Sequence, residues 1–531
     1  MAPRDKSLTP FDSGGNFHPI AEGHGLHRAA VRGAGVTIFA EGASFAVQMA
    51  ATVVLARLLT PNDFGVVTMV TTFSLLFYSV GLNGFTEVIL QREELTDSLA
   101  SNLFWINIGI GALLTVAFAA LGPLMAHFYH DSTVAHVAEG MSLTIMAGSF
   151  SVIHLALLKR AMRFSGVSAN RVIGRVVSVI LSIVLALAGW GYWALVAGFI
   201  AQELSASIGA WCMCRWTPSL PRHAPGTGTA VKFAANVCLH FGFSYSSGNT
   251  DNLLVGWRFG ASALGFYKKA FDLFYLPANQ LLSPMSAVAI ATLSRLNRER
   301  EQYRRYFLLG VSVLAFLGMG IGADLTLVGR DLIRILLGPG WTETGRIFAF
   351  FGPGIGVMLL CNTHGWIHLS IGRPDRWFRW AVIEFLCTVG LFVIALPWGP
   401  GGIALAWTTS YFILMFPAFW YAGKPIDFGV SSILAVVWKF FVASAVAGCS
   451  TAWLVRILVP FANAPGAFGA LARLVWTSLL FFTLYLAAVI ALHRGFEPIR
   501  QARRLVETML PERSVEQVVA ANQSATATSQ V

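Results

Sequence analysis

Runs of about 20 apolar residues recur along the whole chain, and they exclude a soluble fold. Hydrophobic residues make up 56% of the 531 positions and charged residues only 12%, whereas soluble domains carry about 25% charged residues. About 20 apolar residues in a helix cross the hydrocarbon core of a bilayer. The pattern therefore predicts an all-α polytopic membrane protein with about 14 transmembrane helices.

The basic residues predict how these helices are oriented. If the N-terminus is cytoplasmic, about three quarters of the 37 Lys and Arg residues fall on the inner side. The clearest inner loops are KRAMRFSGVSANRVIGR (159–175) and SRLNREREQYRRY (294–306). Both termini are therefore expected to be cytoplasmic. The net charge of +11 then reflects insertion orientation and contact with anionic lipids, and it requires no nucleic acid.

The ends of the chain and its cysteines predict no further module. A polar leader precedes the first apolar run without a recognisable cleavage site, so we expect no cleaved signal peptide. The stretch HRGFEPIRQARRLVETML (493–510) is typical of a basic amphipathic helix on the membrane surface, followed by a polar, disordered end. The six cysteines lie in or beside apolar runs, which predicts neither disulfides nor a metal site, and no cofactor is expected.

Residues 53–77 have a counterpart 200 positions later, in residues 253–277. Aligning VVLARLLTPNDFGVVTMVTTFSLLF with LLVGWRFGASALGFYKKAFDLFYLP places Gly65 on Gly265. Each copy then has an apolar helix, a tight turn on the outer side and a second helix. Membrane transporters are often two copies of one unit, so the offset predicts an internal duplication.

This duplication also predicts the domain organisation. An even number of spans in each copy puts both turns on the same side, which favours two pseudo-symmetric six-helix lobes and two extra C-terminal helices. The predicted segments are a cytoplasmic leader (1–33), an N-lobe (34–212), a cytoplasmic linker (213–232), a C-lobe (233–422), two further helices (423–492) and a cytoplasmic tail (493–531).

Three stretches carry a resemblance to a known family. They are VLARLLTPNDFGVVTMVTTF (54–73), GLNGFTEVILQREELTDSLASNLFWINIGIG (81–111) and NTDNLLVGWRFGASALGFYKKAFDLFYLPANQL (249–281). These resemble the polysaccharide exporters of the Wzx/WzxC type, in the multidrug/oligosaccharidyl-lipid/polysaccharide flippase superfamily. The resemblance implies two helical lobes around a central cavity that opens alternately to either side of a bacterial inner membrane.

The resemblance also implies the cargo. This would be an undecaprenyl-diphosphate-linked oligosaccharide, such as a lipopolysaccharide or exopolysaccharide repeat unit, moved from the cytoplasmic to the periplasmic leaflet. Membrane lipids are implied partners. A coupling ion, H⁺ or Na⁺, and a polysaccharide polymerase or export machinery are open as further partners.

Polar residues inside apolar spans are the expected trace of a polar route, since each is costly unless it faces a cavity or a partner. Glu41 and Gln48 lie seven positions apart on one helical face. Asn249 and Asp251 lie in SYSSGNTDN (244–252), which is typical of a broken or cavity-lining helix; a helix-end hydrogen bond is the alternative for Asp251. The residues predicted to line the route are Glu41, Gln48, Asn249, Asp251, Asp272 and Asp324.

Several other polar residues in the spans are not assigned to the route: Glu203, His240, Gln280, Asn362, His364, His368 and Glu384. Two of them, His364 and His368, lie four positions apart and so on one helical face. As a metal site this pair is weak, and proton relay and simple packing are the two open interpretations.

Basic residues near the repeated turns are candidates for binding a phosphate or a headgroup. Arginine suits bidentate phosphate contact, and lysine acts as a point charge. Snorkelling to lipid headgroups at a helix end is the alternative for each residue. The candidates are Arg32, Arg57, Lys232, Arg258, Lys268 and Lys269.

No motif supports an enzyme or direct drive by ATP. The sequence contains no GxxxxGK[ST], HExxH or GxSxG, so no catalytic residue is proposed. A membrane polymerase or ligase would be expected to carry a large external loop or a cytosolic catalytic domain, neither of which is expected here. An ion-coupled multidrug or metabolite antiporter of the same superfamily shares every bulk feature and is the main alternative to a flippase.

Overall fold

The computed structural model describes residues 10–12, 14–17, 24–92, 94–222, 224–458, 466–498 and 500. Within these residues the chain is helical, with two isolated β-bridges and no strand. Ten segments of the described chain are long and apolar enough to cross a membrane, which confirms the predicted all-α membrane class. The predicted surface helix of the tail lies mostly outside the described residues.

The described residues divide into two compact units. The first contains the described residues up to Asp272 together with Ile333–Ile347 and Val389–Ala404. The second contains Leu273–Leu332, Phe348–Thr388 and the described residues from Leu405 onward. The domain boundaries expected from the sequence duplication stay predictions.

Sixteen α-helices are numbered in chain order over the described residues. The first nine are α1 (His24–Leu58), α2 (Pro61–Gln91), α3 (Asp97–Tyr129), α4 (Thr133–Ser149), α5 (Val152–Arg160), α6 (Phe164–Leu187), α7 (Tyr192–Cys214), α8 (Thr227–Ser247) and α9 (Thr250–Leu296). The others are α10 (Arg300–Leu337), α11 (Thr342–Asn362), α12 (His364–Ser370), α13 (Pro374–Ala395), α14 (Gly399–Gly423), α15 (Val430–Leu458) and α16 (Gly466–His493).

Both repeated segments form a helix, a turn and a second helix. In the first copy Thr60 caps α2: its hydroxyl accepts from the Asp63 backbone N–H at 3.3 Å, and the Asp63 carboxylate accepts from the Thr60 N–H at 2.9 Å. Pro61 is the first residue of α2, where a backbone N–H has no partner within the helix, so proline loses no hydrogen bond there. In the second copy α9 is interrupted at Gly260, whose φ of 80° lies in the left-handed region that favours glycine.

The two turns pack against each other within the first unit. A Cβ on Gly65 would overlap the carbonyl oxygen of Ala261, and a Cβ on Gly265 would overlap that of Pro61. The Ser262 hydroxyl donates to the Asn62 side-chain oxygen at 3.3 Å. These contacts are reciprocal. The offset of 200 residues relates Gly65 to Gly265 and Pro61 to Ala261, so the contact of Gly65 with Ala261 is repeated as the contact of Gly265 with Pro61, as in an isologous interface. Glycine is required at both positions because the backbones approach too closely for any side chain.

Candidate functional site: a charged cavity in the first unit

A polar cavity of about 450 Å³ lies among α1, α2, α4, α6, α7 and the start of the second half of α9. Its charged lining consists of Arg175 from α6, Glu203 from α7, and Lys268, Lys269 and Asp272 from α9. Three cations thus face two carboxylates. The formal excess of positive charge suits the cavity to an anionic ligand.

Arg175 joins α6 to α1 at one wall of the cavity. Its Nη1 donates to Gln48 Oε1 at 2.5 Å. One turn earlier on α6, Arg171 forms an ion pair with Glu41 of α1. The face of α1 that carries Glu41 and Gln48 therefore faces α6. Gln48 lines the cavity, whereas Glu41 is partly exposed and is not among the lining residues.

The α9 wall supplies two lysines with different surroundings. Lys268 Nζ pairs with Asp272 Oδ1 at 2.9 Å. Lys269 Nζ lies 3.9 Å from the centroid of the Phe64 ring, a cation–π contact. In the described part of the chain Lys269 has no ion-pair partner within 4.0 Å. Its charge is therefore the less compensated of the two.

Glu203 of α7 and Tyr78 of α2 also line the cavity. A Cβ on Gly148 would lie 2.6 Å from the Tyr78 ring and 3.2 Å from Glu203 Oε2, so glycine makes room for both side chains. Gln202 Nε2 donates to Glu203 Oε1 at 3.4 Å. The carboxylate also interacts electrostatically with Arg175. Glu203 on α7 and Arg175 on α6, which carry opposite charges, thus line the same cavity.

Two of the predicted route residues lie at the break between α8 and α9, outside the cavity lining. Asp251 is buried and accepts from the Tyr267 hydroxyl at 2.9 Å. Asn249 Nδ2 donates to the Tyr245 carbonyl at 3.0 Å, and its Oδ1 accepts from Asn252 at 3.1 Å. The helix break expected from SYSSGNTDN is present, and these polar groups bond locally around it.

The last predicted route residue, Asp324, lies on α10 in the second unit. The Ser478 hydroxyl of α16 donates to its Oδ2 at 3.1 Å. Two turns further along α10, Asp331 pairs with Arg473 of α16 at 2.6 Å. These polar contacts tie α16 to α10.

The remaining basic candidates lie outside the cavity. Arg57 donates to two carbonyl oxygens in the last turn of α10, at 2.6 Å and 3.3 Å, where a cation complements the helix dipole. Arg258 is exposed and lies 5.9 Å over the Phe259 ring. Lys232 is exposed on α8. The side chain of Arg32 lies outside the described residues.

Residues 54–346 match the protein family described as Polysaccharide biosynthesis protein, and this is more than half of the 531-residue chain. The chain belongs to this family. The resemblance to exporters of the Wzx/WzxC type is thereby confirmed, and it now rests on a match that spans both copies of the repeated turn.

Two relatives are similar to this chain over most of their length. It is 21% identical to the succinoglycan biosynthesis transport protein ExoT of Rhizobium meliloti (strain 1021), over 68% of this chain and 74% of that protein. It is 19% identical to the lipopolysaccharide biosynthesis protein WzxC of Escherichia coli (strain K12), over 68% of this chain and 76% of that protein.

A solved structure shows the shared fold. The lipid II flippase MurJ, in an inward closed conformation, matches with a TM-score of 0.69 at 14% identity, over 86% of this chain and 98% of MurJ. This likeness shows that the chain has a MurJ-like helical fold.

Two cavity residues of this family member escaped the sequence-based assignment. Glu203 appears there as a polar residue within a span, and Arg175 as part of a basic inner loop. The spacing of Arg171 and Arg175, four apart at the start of an apolar run, places both on one face of α6. Glu41 and Gln48 likewise share one face of α1, and the two pairs bond across the helices. Two basic residues on one face of α6 were therefore the available signal.

Proposed function

We propose that this protein is a flippase that moves an undecaprenyl-diphosphate-linked oligosaccharide from the cytoplasmic to the periplasmic leaflet of a bacterial inner membrane. The observation that carries the proposal is the charged cavity of the first unit. Charged side chains within a membrane protein are costly unless they pair or serve a polar ligand. Here three cations and two carboxylates face about 450 Å³ of space, so a polar anionic cargo is the ligand that suits them.

Lys269 and Arg175 are assigned to the diphosphate. Lys269 has the less compensated charge, and the planar guanidinium of Arg175 can hold phosphate oxygens in a bidentate manner. Glu203, Gln48 and Asp272 are assigned to the sugar, because carboxylate and amide oxygens accept hydrogen bonds from hydroxyl groups. Lipid tails need no polar partner and stay in the bilayer.

The proposed architecture has fourteen spans in two six-helix lobes around a central cavity, followed by two C-terminal helices. Ten described segments qualify as spans, and one of them, Pro374–Ile426, contains both α13 and α14. The helices α2, α8 and α9 would supply the other three. The bias of basic residues supports cytoplasmic termini. The reciprocal packing of the repeated turns supports the lobe boundaries expected from the sequence.

The charge of the cavity also bears on the alternatives. A transporter of cationic drugs would be expected to line its cavity with an excess of carboxylates, whereas here the cations are in excess. A polymerase or ligase is less supported, because the matched relatives include a named transport protein. Coupling to H⁺ or Na⁺ and contact with a polymerase or export machinery belong to the proposal as its open parts.

The test is the leaflet distribution of lipid-linked oligosaccharide in cells that lack this protein. We expect the lipid-linked oligosaccharide to accumulate in the cytoplasmic leaflet and to reach the periplasmic leaflet again when the wild-type chain is restored. An unchanged distribution in the deletion strain would contradict the proposal. Efflux of drugs from vesicles that contain the full chain, without movement of the oligosaccharide, would favour the antiporter instead.

A further inference from the structure

Two successive contacts join α1 to α6 in the first unit. Arg171 of α6 forms an ion pair with Glu41 of α1. One turn further along α6, the Nη1 atom of Arg175 donates a hydrogen bond to Gln48. In both contacts a guanidinium of α6 binds a side-chain oxygen of α1. The second contact lines the charged cavity, and the first lies beside it.

The two arginines hold like charges close together. They lie four positions apart on one face of α6, which is about 6 Å along the helix axis at about 1.5 Å per residue. Arg171 acts electrostatically on Arg175, and like charges at this spacing destabilise a helix. One anion with several oxygens can bind both guanidiniums and relieve this repulsion, and a diphosphate is such an anion.

Polar atoms at these contacts are satisfied only in part. The Nε atom of Arg175 is buried and has no hydrogen-bond partner among the described residues. The same holds for the hydroxyl oxygen of Ser44, which lies on the face of α1 that carries Glu41 and Gln48. Buried polar atoms nearly always have a partner. A ligand with more oxygen atoms than the α1 side chains offer would therefore satisfy this face better.

The ion pair between α1 and α6 is open enough to separate. The side chains of Arg171 and Glu41 are 52% and 39% exposed. In the second unit, by contrast, the paired side chains of Arg473 and Asp331 are only 17% and 24% exposed. An anion can therefore reach Arg171 from outside the protein, and the Glu41 carboxylate can turn away from it without being buried unpaired.

The position of the two arginines along α6 gives the contacts an order. The helix begins at Phe164, within the stretch expected on the inner side (159–175). Arg171 then lies about 10 Å from this end and Arg175 about 16 Å. A diphosphate that comes from the cytoplasmic leaflet would meet Arg171 first and Arg175 next, before it reaches Lys269 across the cavity.

We propose that Arg171 and Arg175 form an entry site for the diphosphate of the cargo, and that Glu41 competes with this diphosphate for Arg171. A carboxylate presents charged oxygens to a guanidinium as a phosphate does. Binding of cargo releases Glu41 and Gln48 from α6 and so loosens α1. The return of Glu41 to Arg171 displaces the diphosphate. This inference rests on the proposed flippase function and adds to it a switch between α1 and α6 that the cargo operates.

Binding of a prenyl diphosphate tests this competition. The probe is farnesyl diphosphate, titrated into the full-length chain in detergent. We expect Arg171→Gln to weaken binding about tenfold or more, as for the loss of a hydrogen bond to a charged group. We expect Glu41→Gln to strengthen binding about two- to fivefold, because the competing carboxylate is gone. The double variant should bind as weakly as Arg171→Gln alone.

The opposite signs of the two effects separate competition from packing. A pair that only holds the helices together would change binding in the same direction from either side. The matched control is the exposed pair of Glu343 and Arg346 on α11, where neutralising either residue should change the Kd by less than about twofold. Unchanged or weaker binding in folded Glu41→Gln would refute the competition, and unchanged binding in folded Arg171→Gln would refute the site.

Two further measurements do not depend on whether these variants fold. The wild type must bind farnesyl diphosphate, and a failure to bind it would refute the site. Inorganic diphosphate should displace the bound probe, whereas phosphatidylglycerol at the same concentration should not, because its phosphodiester has fewer charged oxygens. Equal displacement by phosphatidylglycerol would show a general headgroup site and would overturn the assignment to a diphosphate.

Transport distinguishes this inference from the function on which it rests. Export per folded molecule should fall in Glu41→Gln although its binding is tighter, because the diphosphate is released more slowly. Export that rises together with affinity would refute the role of Glu41 in release. If the deletion strain shows an unchanged leaflet distribution while the binding effects have the expected signs, the flippase function fails and the diphosphate site stands.

Discussion

The two units contain cavities of similar size and opposite character. The cavity of the first unit, about 450 Å³, is lined by five charged side chains. The cavity of the second unit, about 370 Å³, is lined by small and apolar residues, with no charged side chain among those described. Because the two volumes are similar, it is the charge of the lining, and not the space available, that distinguishes the cavity proposed to bind an anionic cargo.

Charges in the second unit serve other ends. Asp331 and Arg473 join α10 to α16, and the histidine pair of α12 is enclosed by aromatic rings. The apolar cavity itself lies beside a close approach of α10 and α11, where a Cβ on Gly356 would lie 2.9 Å from the carbonyl oxygen of Gly318. Glycine at such a contact brings helices together without polar groups, as is common in membranes. The cavity beside this contact is therefore lined by apolar residues.

The largest effect is expected from removing a cation of the charged cavity. Lys269→Gln and Arg175→Gln should each lower oligosaccharide export about 10- to 100-fold, because a hydrogen bond to a charged group contributes about 1.5–3 kcal/mol. The measurement is export per molecule of protein in the membrane. The matched control is Lys424→Gln, an exposed lysine after α14 that is not among the candidate phosphate-binding residues. An equal loss in the control would remove the cavity from its role as the phosphate site.

The charged cavity is also expected to depend on the close packing of the repeated turns. Gly65→Ala and Gly265→Ala should each lower the free energy of unfolding by about 1–3 kcal/mol, because the added methyl group meets backbone atoms. Gly109→Ala on α3 is the control, since no atom lies within 4 Å of the added Cβ, and it should be neutral or slightly stabilising. Thermal unfolding in detergent measures all three, and equal midpoints would show that the turns tolerate separation.

Breaking an ion pair of the second unit should affect stability and not cargo. Arg473→Met should cost about 1–2 kcal/mol, less than the ~3–5 kcal/mol of a fully buried pair, because both side chains keep some exposure. Export per folded molecule should stay near the wild-type rate. The double variant with Asp331→Asn should recover part of the loss, as coupled residues do in a mutant cycle. A drop in export larger than the drop in folded protein would place this pair in the cargo route.

The smallest effect is expected from filling the apolar cavity. Gly448 lines it, and no atom lies within 4 Å of an added Cβ, so Gly448→Val should be accommodated. We expect export to change by less than about twofold, because a substitution that creates no clash and breaks no hydrogen bond or ion pair usually has a small effect. A large loss in folded Gly448→Val protein would show that cargo also needs the apolar cavity, and the contrast between the units would no longer hold.

Several parts of the fold and the site could be predicted from local pattern. The two repeated turns follow from Pro61, Gly65 and Gly265, since proline and glycine have strong backbone requirements. Lys268 and Asp272 were each found from local sequence, Lys268 as a basic residue near a repeated turn and Asp272 as a polar residue inside an apolar span. Arg175 was assigned to a loop because its chain neighbours include other basic residues. Its hydrogen-bond partner, Gln48, lies 127 positions away in the sequence, which is too far for a local sequence pattern to reveal.

The sequence by itself determined the class of this protein, the approximate positions of its helices and the 200-residue repeat. These follow from hydropathy and chain geometry, which act locally. Only the tertiary structure decided that Arg175 and Glu203 share a cavity with Lys269, and that Glu41 pairs with Arg171 beside it. A helix that is apolar on most sides has no strongly preferred rotation of its own. Packing against the other helices sets that rotation and thereby selects which polar groups meet.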